Sequence, residues 1–167
     1  MNTKQQFLNS ASLKKCLFLT LGLTFFMAIG YCQKPDYSGE WVLNLDKSKL
    51  QAAWTNGITK GNMKIVHHEP NFSFWRDFTI KGKEKISSYA LVTNGQAQKG
   101  EHKTIWTLTW KQDTLIVVVT RKSMINEVKY YFTANADFVA DEHFEDYKTS
   151  YHNHWVFDKK SVATKKE

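Results

Sequence analysis

Apolar and polar side chains alternate with a period of two along most of the chain beyond residue 36, in segments separated by short turns. Trp41, Leu43 and Leu45 share one face of the first segment, and Trp106 and Leu108 share one face of a later segment. This spacing predicts β-strands with one buried face. No segment beyond residue 36 shows a sustained helical period, so the pattern predicts an all-β fold.

The alternation predicts roughly nine strands with short connections. They cover residues 41–45, 63–67, 72–80, 86–93, 103–111, 114–120, 128–132, 138–147 and 149–157. Such a series is typical of an antiparallel up-and-down β-barrel, here of about 8–10 strands. A longer link, residues 51–61, is expected to hold a short helix or a lid. A barrel of this size can enclose one small ligand.

The N-terminal segment has the layout of a cleaved signal peptide. Lys4, Lys14 and Lys15 precede an uncharged apolar run, residues 16–29. This run is shorter than the roughly 20 residues that a membrane-spanning helix needs. We therefore assign residues 1–32 to a signal peptide that is removed, residues 33–160 to the barrel domain and residues 161–167 to a disordered tail. The mature chain is expected to be exported, periplasmic or secreted, without a transmembrane segment.

The cysteines bear on processing and on stability. Cleavage is expected near residues 30–32, where Gly30 offers a small side chain. Lipidation of Cys32 to give an outer-membrane lipoprotein is less favoured, because the residue before it is the bulky Tyr31. Cys16 is removed with the leader, so the mature chain can form neither an internal disulfide nor a cysteine-based metal site.

The positive charge does not form a nucleic-acid-binding pattern. The net charge is +7, but the lysines are scattered along the chain, and Arg76 and Arg121 are its two arginines. Nucleic-acid-binding proteins usually show a clustered basic face rich in arginine. Scattered lysines instead serve solubility and keep strand edges from pairing. The sequence therefore predicts no nucleic-acid partner.

Three short motifs carry a family resemblance. Residues 36–48, which contain Ser-Gly-Glu-Trp and end in Lys-Ser, look like the opening strand of small exported bacterial lipocalin-like proteins. Residues 154–160 look like their final strand. Residues 110–115 are similar to their central Trp-x-Gly-Asp-x-Leu turn, with Gln112 in place of the usual glycine. The resemblance to this family of the calycin superfamily implies a ligand cavity inside the barrel, with Trp41 packed across its closed end.

The two arginines are candidate anchors for a ligand. Arg76 is in phase with Phe74 and Phe78, and Arg121 is in phase with the apolar residues that precede it. A charge on an apolar barrel face must be paired, because burying it alone costs several kcal/mol. A bound carboxylate would neutralise this charge, because a guanidinium can donate two hydrogen bonds to it. The Tyr130 hydroxyl could add a further donor.

This Arg-Arg-Tyr set resembles the carboxylate clamp of fatty-acid-binding proteins. In the alternative interpretation, an arginine closes over Trp41 at the barrel end or pairs with an internal Asp or Glu. The predicted ligand-binding residues are Arg76, Arg121, Tyr130, Phe74, Phe78, Trp106 and His67.

Two histidines project from one strand face in a spacing that can bind metal. His152 and His154 would need a third ligand, such as His143 or His67. The aromatic residues of the same strand occupy the opposite phase and are expected to face inward, which turns the histidine pair outward. We therefore predict no metal site and no cofactor.

The favoured function is non-catalytic binding of a small hydrophobic or amphipathic ligand, in one version bearing a carboxylate. One alternative is a barrel enzyme that uses His143 and Glu145 as base and acid on a lipid or a sugar-derived substrate. Another is a surface interaction module with a filled core. The acidic run 141–146 also fits a solvated outer face, and no nucleophile elbow, phosphate loop or zinc-protease motif occurs. No catalytic residue is therefore predicted.

Overall fold

The structure, a computed structural model, describes residues 34–160. The predicted signal peptide (1–32), its cleavage site and Cys32 lie outside the described residues, as does the predicted tail (161–167). Export and processing therefore stay predictions. Within residues 34–160, no helix is long and apolar enough to cross a membrane.

Eleven strands and two 3₁₀ turns form the regular structure of the described residues. The strands are β1 (Gly39–Leu43), β2 (Lys49–Leu50), β3 (Ile58–His68), β4 (Asn71–Ile80), β5 (Lys83–Val92), β6 (Gln98–Lys99), β7 (Ile105–Lys111), β8 (Thr114–Arg121), β9 (Met124–Phe132), β10 (Phe138–Glu145) and β11 (Ser150–Lys159). The 3₁₀ turns cover Ala53–Thr55 and Glu101–Lys103.

Ten of these strands form one continuous antiparallel path. Its order is β5-β4-β3-β1-β11-β10-β9-β8-β7-β6, and β2 pairs with β11 beside it. Because β1 pairs with both β3 and β11, the first strand joins the last one, and the sheet curls into a nearly closed barrel. The predicted all-β antiparallel barrel of eight to ten strands is confirmed.

The seam between β5 and β6–β7 is held together by side chains. The Gln98 amide accepts a hydrogen bond from the Val92 N–H (2.8 Å) and donates one to the Val92 carbonyl (2.7 Å). These two bonds replace the pair that a neighbouring strand backbone would make. Farther along the seam, the rings of Tyr89 and Trp106 lie 4.6 Å apart. The barrel is therefore closed at this point by packing and by a side-chain amide.

The first strand is shorter than the alternation predicts. Strand β1 ends at Leu43, and Leu45 is exposed instead of sharing the buried face of Trp41. The chain turns at Asn44, whose side-chain oxygen accepts a hydrogen bond from the Lys47 N–H (3.0 Å). Such Asx turns compete with strand pairing. The prediction for Leu45 was therefore wrong.

The longer link, residues 51–61, contains a single 3₁₀ turn. That turn carries Trp54, and β3 begins already at Ile58. The N–H groups of Gln51 and Ala52 both donate to the Asn153 side-chain oxygen, at 2.8 Å and 3.1 Å. The link is thus tied to the wall of the barrel rather than extended into a helix.

Trp41 packs at the closed end, as the resemblance implies. Its ring lies 4.8 Å from that of Phe138, and its Nε1–H donates to the Tyr37 carbonyl (3.1 Å). The amine of Lys159 lies 5.9 Å from the centre of the Trp41 ring. A lysine therefore takes the position over this tryptophan that the alternative interpretation gave to an arginine.

Candidate ligand-binding cavity

A cavity of about 360 Å³ lies inside the barrel and borders this aromatic cluster, because the lining residues Tyr130 and Phe157 both pack against Phe138. Strands β3 to β5 line one side of the cavity, β9 to β11 line the other, and Trp54 from the 3₁₀ turn also contributes. The apolar part of the lining comes mainly from Trp54, Met63, Phe78, Ile80, Trp155 and Phe157. Ligand sites of about 300–1,000 Å³ usually combine such a wall with a few polar groups.

Arg76 contributes a positive charge to the cavity. Its Nε–H donates to the Ser87 hydroxyl in a long hydrogen bond of 3.4 Å. The guanidinium carbon lies 5.2 Å from the centre of the Phe74 ring and 5.9 Å from that of Tyr89, so two aromatic rings support it. Within residues 34–160, no carboxylate forms an ion pair with Arg76. Its remaining N–H donors are therefore free for a ligand.

Tyr130 lines the same cavity from β9. Burial raises the pKa of its hydroxyl, the Arg76 charge lowers it and the Glu142 charge raises it. The hydroxyl is therefore protonated at neutral pH and lies within electrostatic reach of both charged residues. Two members of the predicted arginine–tyrosine set thus face one space.

Glu142 contributes a negative charge to the cavity. It is 9% exposed, and its carboxylate accepts hydrogen bonds from Asn126 Nδ2 (3.0 Å), Asn153 Nδ2 (2.8 Å) and Trp155 Nε1 (3.0 Å). The Asn153 side-chain oxygen also accepts hydrogen bonds from the N–H groups of Gln51 and Ala52, which precede Trp54 in the chain. The network thus joins β9, β10, β11 and the 3₁₀ turn into one wall.

Glu142 and Asn126 are not among the site residues predicted from the sequence. A signal was present, since Glu142 is in phase with Phe138, Ala140 and Phe144 on β10. The acidic neighbours of Glu142 in sequence favoured a solvated face instead.

Apart from His67, the other predicted site residues lie in three places. Phe78 lines the cavity, whereas Phe74 lies in the core beneath the Arg76 guanidinium. Trp106 also belongs to the core, where it contacts Tyr89. Arg121 is exposed at the end of β8 and does not line the cavity. Arg121 is in phase with the buried residues of β8, as predicted, but the strand ends at this residue and the side chain extends into solvent.

His67 lies on the inner face of the barrel, but at the closed end rather than in the cavity. Its Nδ1 accepts a hydrogen bond from the Tyr37 N–H (3.4 Å), so the proton lies on Nε2, which donates to Glu69 (2.9 Å). Glu69 also accepts hydrogen bonds from Thr93 (2.6 Å) and Trp110 (2.6 Å). His67 therefore takes part in a structural network, and its predicted contact with a ligand is not supported by its position.

Glu69→Gln is expected to lower the free energy of unfolding at neutral pH by about 1 kcal/mol. Burial raises the pKa of Glu69, but the hydrogen bonds from Thr93, His67 and Trp110 outweigh it, so that the pKa lies below its ordinary value of 4.5. A depressed pKa adds stability that is fully present above the unfolded value and is lost as the pH falls through the folded value. Urea denaturation at about pH 7 and about pH 3 should show the difference from the wild type shrinking in acid. A difference of equal size at both pH values would contradict this role of the charge.

The histidines and acids considered for catalysis or metal binding lie on the outer face. His143 and Glu145 are exposed on β10, which contradicts a cavity-facing acid–base pair at these positions. His154 forms a hydrogen bond with Asp141 (2.5 Å), and His152 lies 3.9 Å from the same carboxylate. No group of three or more metal-binding side chains that could hold a metal ion occurs between residues 34 and 160. The predicted outward direction of His152 and His154 agrees with this placement.

Comparison with solved structures shows barrels of the same fold. Fatty-acid-binding protein 1 of Echinococcus granulosus matches with a TM-score of 0.53 at 12% identity, over 75% of this chain and 98% of that one. Zebrafish ileal bile acid-binding protein, solved with cholic acid, matches with a TM-score of 0.54 at 9% identity, over 74% and 98%. A secretory abundant heat soluble protein of Ramazzottius varieornatus matches with a TM-score of 0.50 at 13% identity, over 75% and 95%.

These identities are low, and no protein-family model and no curated protein matches the chain. The likeness therefore concerns the fold. Residues 34–160 form an antiparallel β-barrel with the same fold as these solved structures.

Proposed function

We propose that the barrel binds a small, partly apolar ligand that carries a carboxylate. The observation that carries the proposal is the Arg76 guanidinium, which lines the cavity without an ion-pairing carboxylate among the described residues. A buried or half-buried cation of this kind gains most from an anion that forms charge-assisted hydrogen bonds with it. Tyr130, protonated at neutral pH, supplies a second donor nearby.

The apolar lining supports a ligand with a hydrophobic body. Trp54 and Trp155 lie 5.7 Å apart ring to ring, and Phe78 packs 5.5 Å from Trp155. These rings form a continuous surface near the mouth, against which an alkyl or ring system would lose its contact with water. The two proteins of the same fold that are named for binding fatty acids and bile acids are in line with such a ligand.

The alternative functions have less support. The acid–base enzyme relied on His143 and Glu145, which both face the exterior. An interaction module with a filled core does not account for a cavity of about 360 Å³ whose lining includes Arg76, Lys85 and Glu142. Ligand binding accounts for both features.

Isothermal titration calorimetry with decanoate and with decanol, its neutral match, tests the proposal. We expect saturable one-to-one binding of decanoate and at least tenfold weaker binding of decanol. The reason is that a hydrogen bond to a charged group contributes about 1.5–3 kcal/mol. Equal affinities for the two compounds would contradict the carboxylate anchor. The absence of binding by both would contradict the whole proposal.

A further inference from the structure

The charged groups of the cavity are divided by sign between its two sides. Arg76 on β4 and Lys85 on β5 contribute positive charges, and Glu142 on β10 contributes the negative charge. Within the described chain no ion pair joins any of the three to another side chain. A ligand carboxylate held by Arg76 therefore neutralises one side of the cavity and leaves Glu142, on the other side, without a cation.

Glu142 is poorly matched to a purely apolar ligand surface. Its side chain is largely removed from water, with 9% of the residue exposed. Its hydrogen-bond donors are the uncharged side chains of Asn126, Asn153 and Trp155. These donors stabilise a carboxylate but bring no positive charge, and a buried charge without a counter-ion is costly. A ligand that covered Glu142 with an alkyl chain alone would add to this cost.

The Glu142 carboxylate also retains a free acceptor position. Oε2 accepts hydrogen bonds from Asn153 and Trp155, whereas Oε1 accepts one from Asn126. Each oxygen of an ionised carboxylate offers about two acceptor positions, so one position on Oε1 has no donor among the described residues. Glu142 lines the cavity, and its three hydrogen bonds hold the carboxylate in place before a ligand enters. A donor on the ligand can therefore bind Oε1 without displacing any of the three, and little ordering is required.

We propose that Glu142 Oε1 binds a ligand ammonium group, so that the cavity takes a zwitterion with its carboxylate at Arg76 and its ammonium at Glu142. This inference rests on the proposed function and specifies the ligand class: an amino carboxylic acid whose two charges are separated by an apolar chain. An ammonium fits better than a hydroxyl, because it donates to Oε1 and also supplies the missing positive charge. Arg76 and Glu142 both act electrostatically on the Tyr130 hydroxyl, so a small ligand can span the distance between them.

Calorimetry with 6-aminohexanoate, 8-aminooctanoate and 10-aminodecanoate tests the subsite. Each amino compound is compared with the unsubstituted carboxylate and with the terminally hydroxylated carboxylate of the same chain length. At the length that reaches from Arg76 to Glu142, the amino compound should bind about tenfold more tightly than the unsubstituted one. The hydroxylated compound should gain less, because it brings no charge. This comparison uses the wild-type protein and does not depend on the folding of a variant.

Glu142→Gln should remove the gain of the amino compound, because glutamine has a similar shape and no charge. The unsubstituted carboxylates should bind the variant more tightly than the wild type, since a negative charge that repels them is gone. Circular dichroism should show that the barrel is folded. Glu145→Gln is the control, since Glu145 is exposed on the same strand and does not line the cavity. The control should keep the gain.

The outcomes separate this inference from the proposed function. If the unsubstituted carboxylates bind but no amino compound binds more tightly than its match, the ammonium subsite is wrong and the carboxylate anchor stands. A hydroxylated compound that binds as tightly as the amino compound would overturn the subsite, as would a gain that survives Glu142→Gln in the folded variant. Failure of every compound to bind the wild type would contradict both proposals.

Discussion

Replacing Arg76 with methionine is expected to weaken decanoate binding about a hundredfold, or about 2.7 kcal/mol, while the barrel stays folded. The guanidinium lines the cavity near Tyr130, and it has no carboxylate partner in the described chain. Methionine is similar in length and apolar, so it fills the space and removes a charge that is costly to bury. Calorimetric titration of the variant with decanoate measures the effect.

Decanol and Arg121→Met provide the matched controls. Decanol carries no charge and forms no ion pair with Arg76, so its affinity should change far less than that of decanoate in Arg76→Met. Arg121 is exposed at the end of β8, so its replacement should leave decanoate binding as in the wild type. If Arg76→Met and Arg121→Met weaken decanoate binding equally, the effect reflects net charge rather than an anchor in the cavity. Unchanged decanoate affinity in Arg76→Met would reduce Arg76 to a structural arginine.

Phe138→Ala is expected to lower the free energy of unfolding by about 3–5 kcal/mol. Phe138 is 0% exposed and lies at the centre of the closed-end cluster, with its ring 4.8 Å from Trp41, 5.3 Å from Tyr37 and 5.7 Å from Tyr130. The surrounding rings belong to β1, to β9 and to the segment before β1, and they cannot collapse together into the space that a phenyl group leaves. Equilibrium denaturation in urea measures the loss.

Tyr147→Ala is the control for Phe138→Ala, because Tyr147 is 77% exposed and its removal should change stability by less than about 0.5 kcal/mol. A loss below about 1 kcal/mol in Phe138→Ala would show that the cluster repacks. The Tyr130 ring stacks on Phe138 at an interplanar angle of 8°. A folded variant should therefore also bind decanoate less tightly, since one side of Tyr130 loses its support.

The sequence by itself determined the strands and the direction of most side chains. Successive residues of a strand point to opposite faces, so the alternation placed Phe78 and Arg76 inside and His154 outside before any pairing was known. It also predicted the nine longer strands, because turns interrupt the alternation, but not the two-residue strands β2 and β6. The alternation also places Glu142 on the same face of β10 as the buried Phe138 and Ala140. The acidic residues on either side of Glu142 nevertheless led to the wrong prediction that this part of the strand faces solvent.

Only the tertiary structure decided how far along the barrel each inner residue lies. His67 and Arg76 share the inner surface, yet His67 is at the closed end with Glu69 while Arg76 is at the cavity. Arg121 has an inward phase, but β8 ends there and the side chain reaches solvent. The position of an inward-facing residue along the barrel axis depends on the register between neighbouring strands. This register depends on the turns and on pairing between strands that are distant in sequence, such as β1 with β11. The alternation of a single strand contains no information about its partner, which is why the Asn126–Glu142 pair emerged only from the folded barrel.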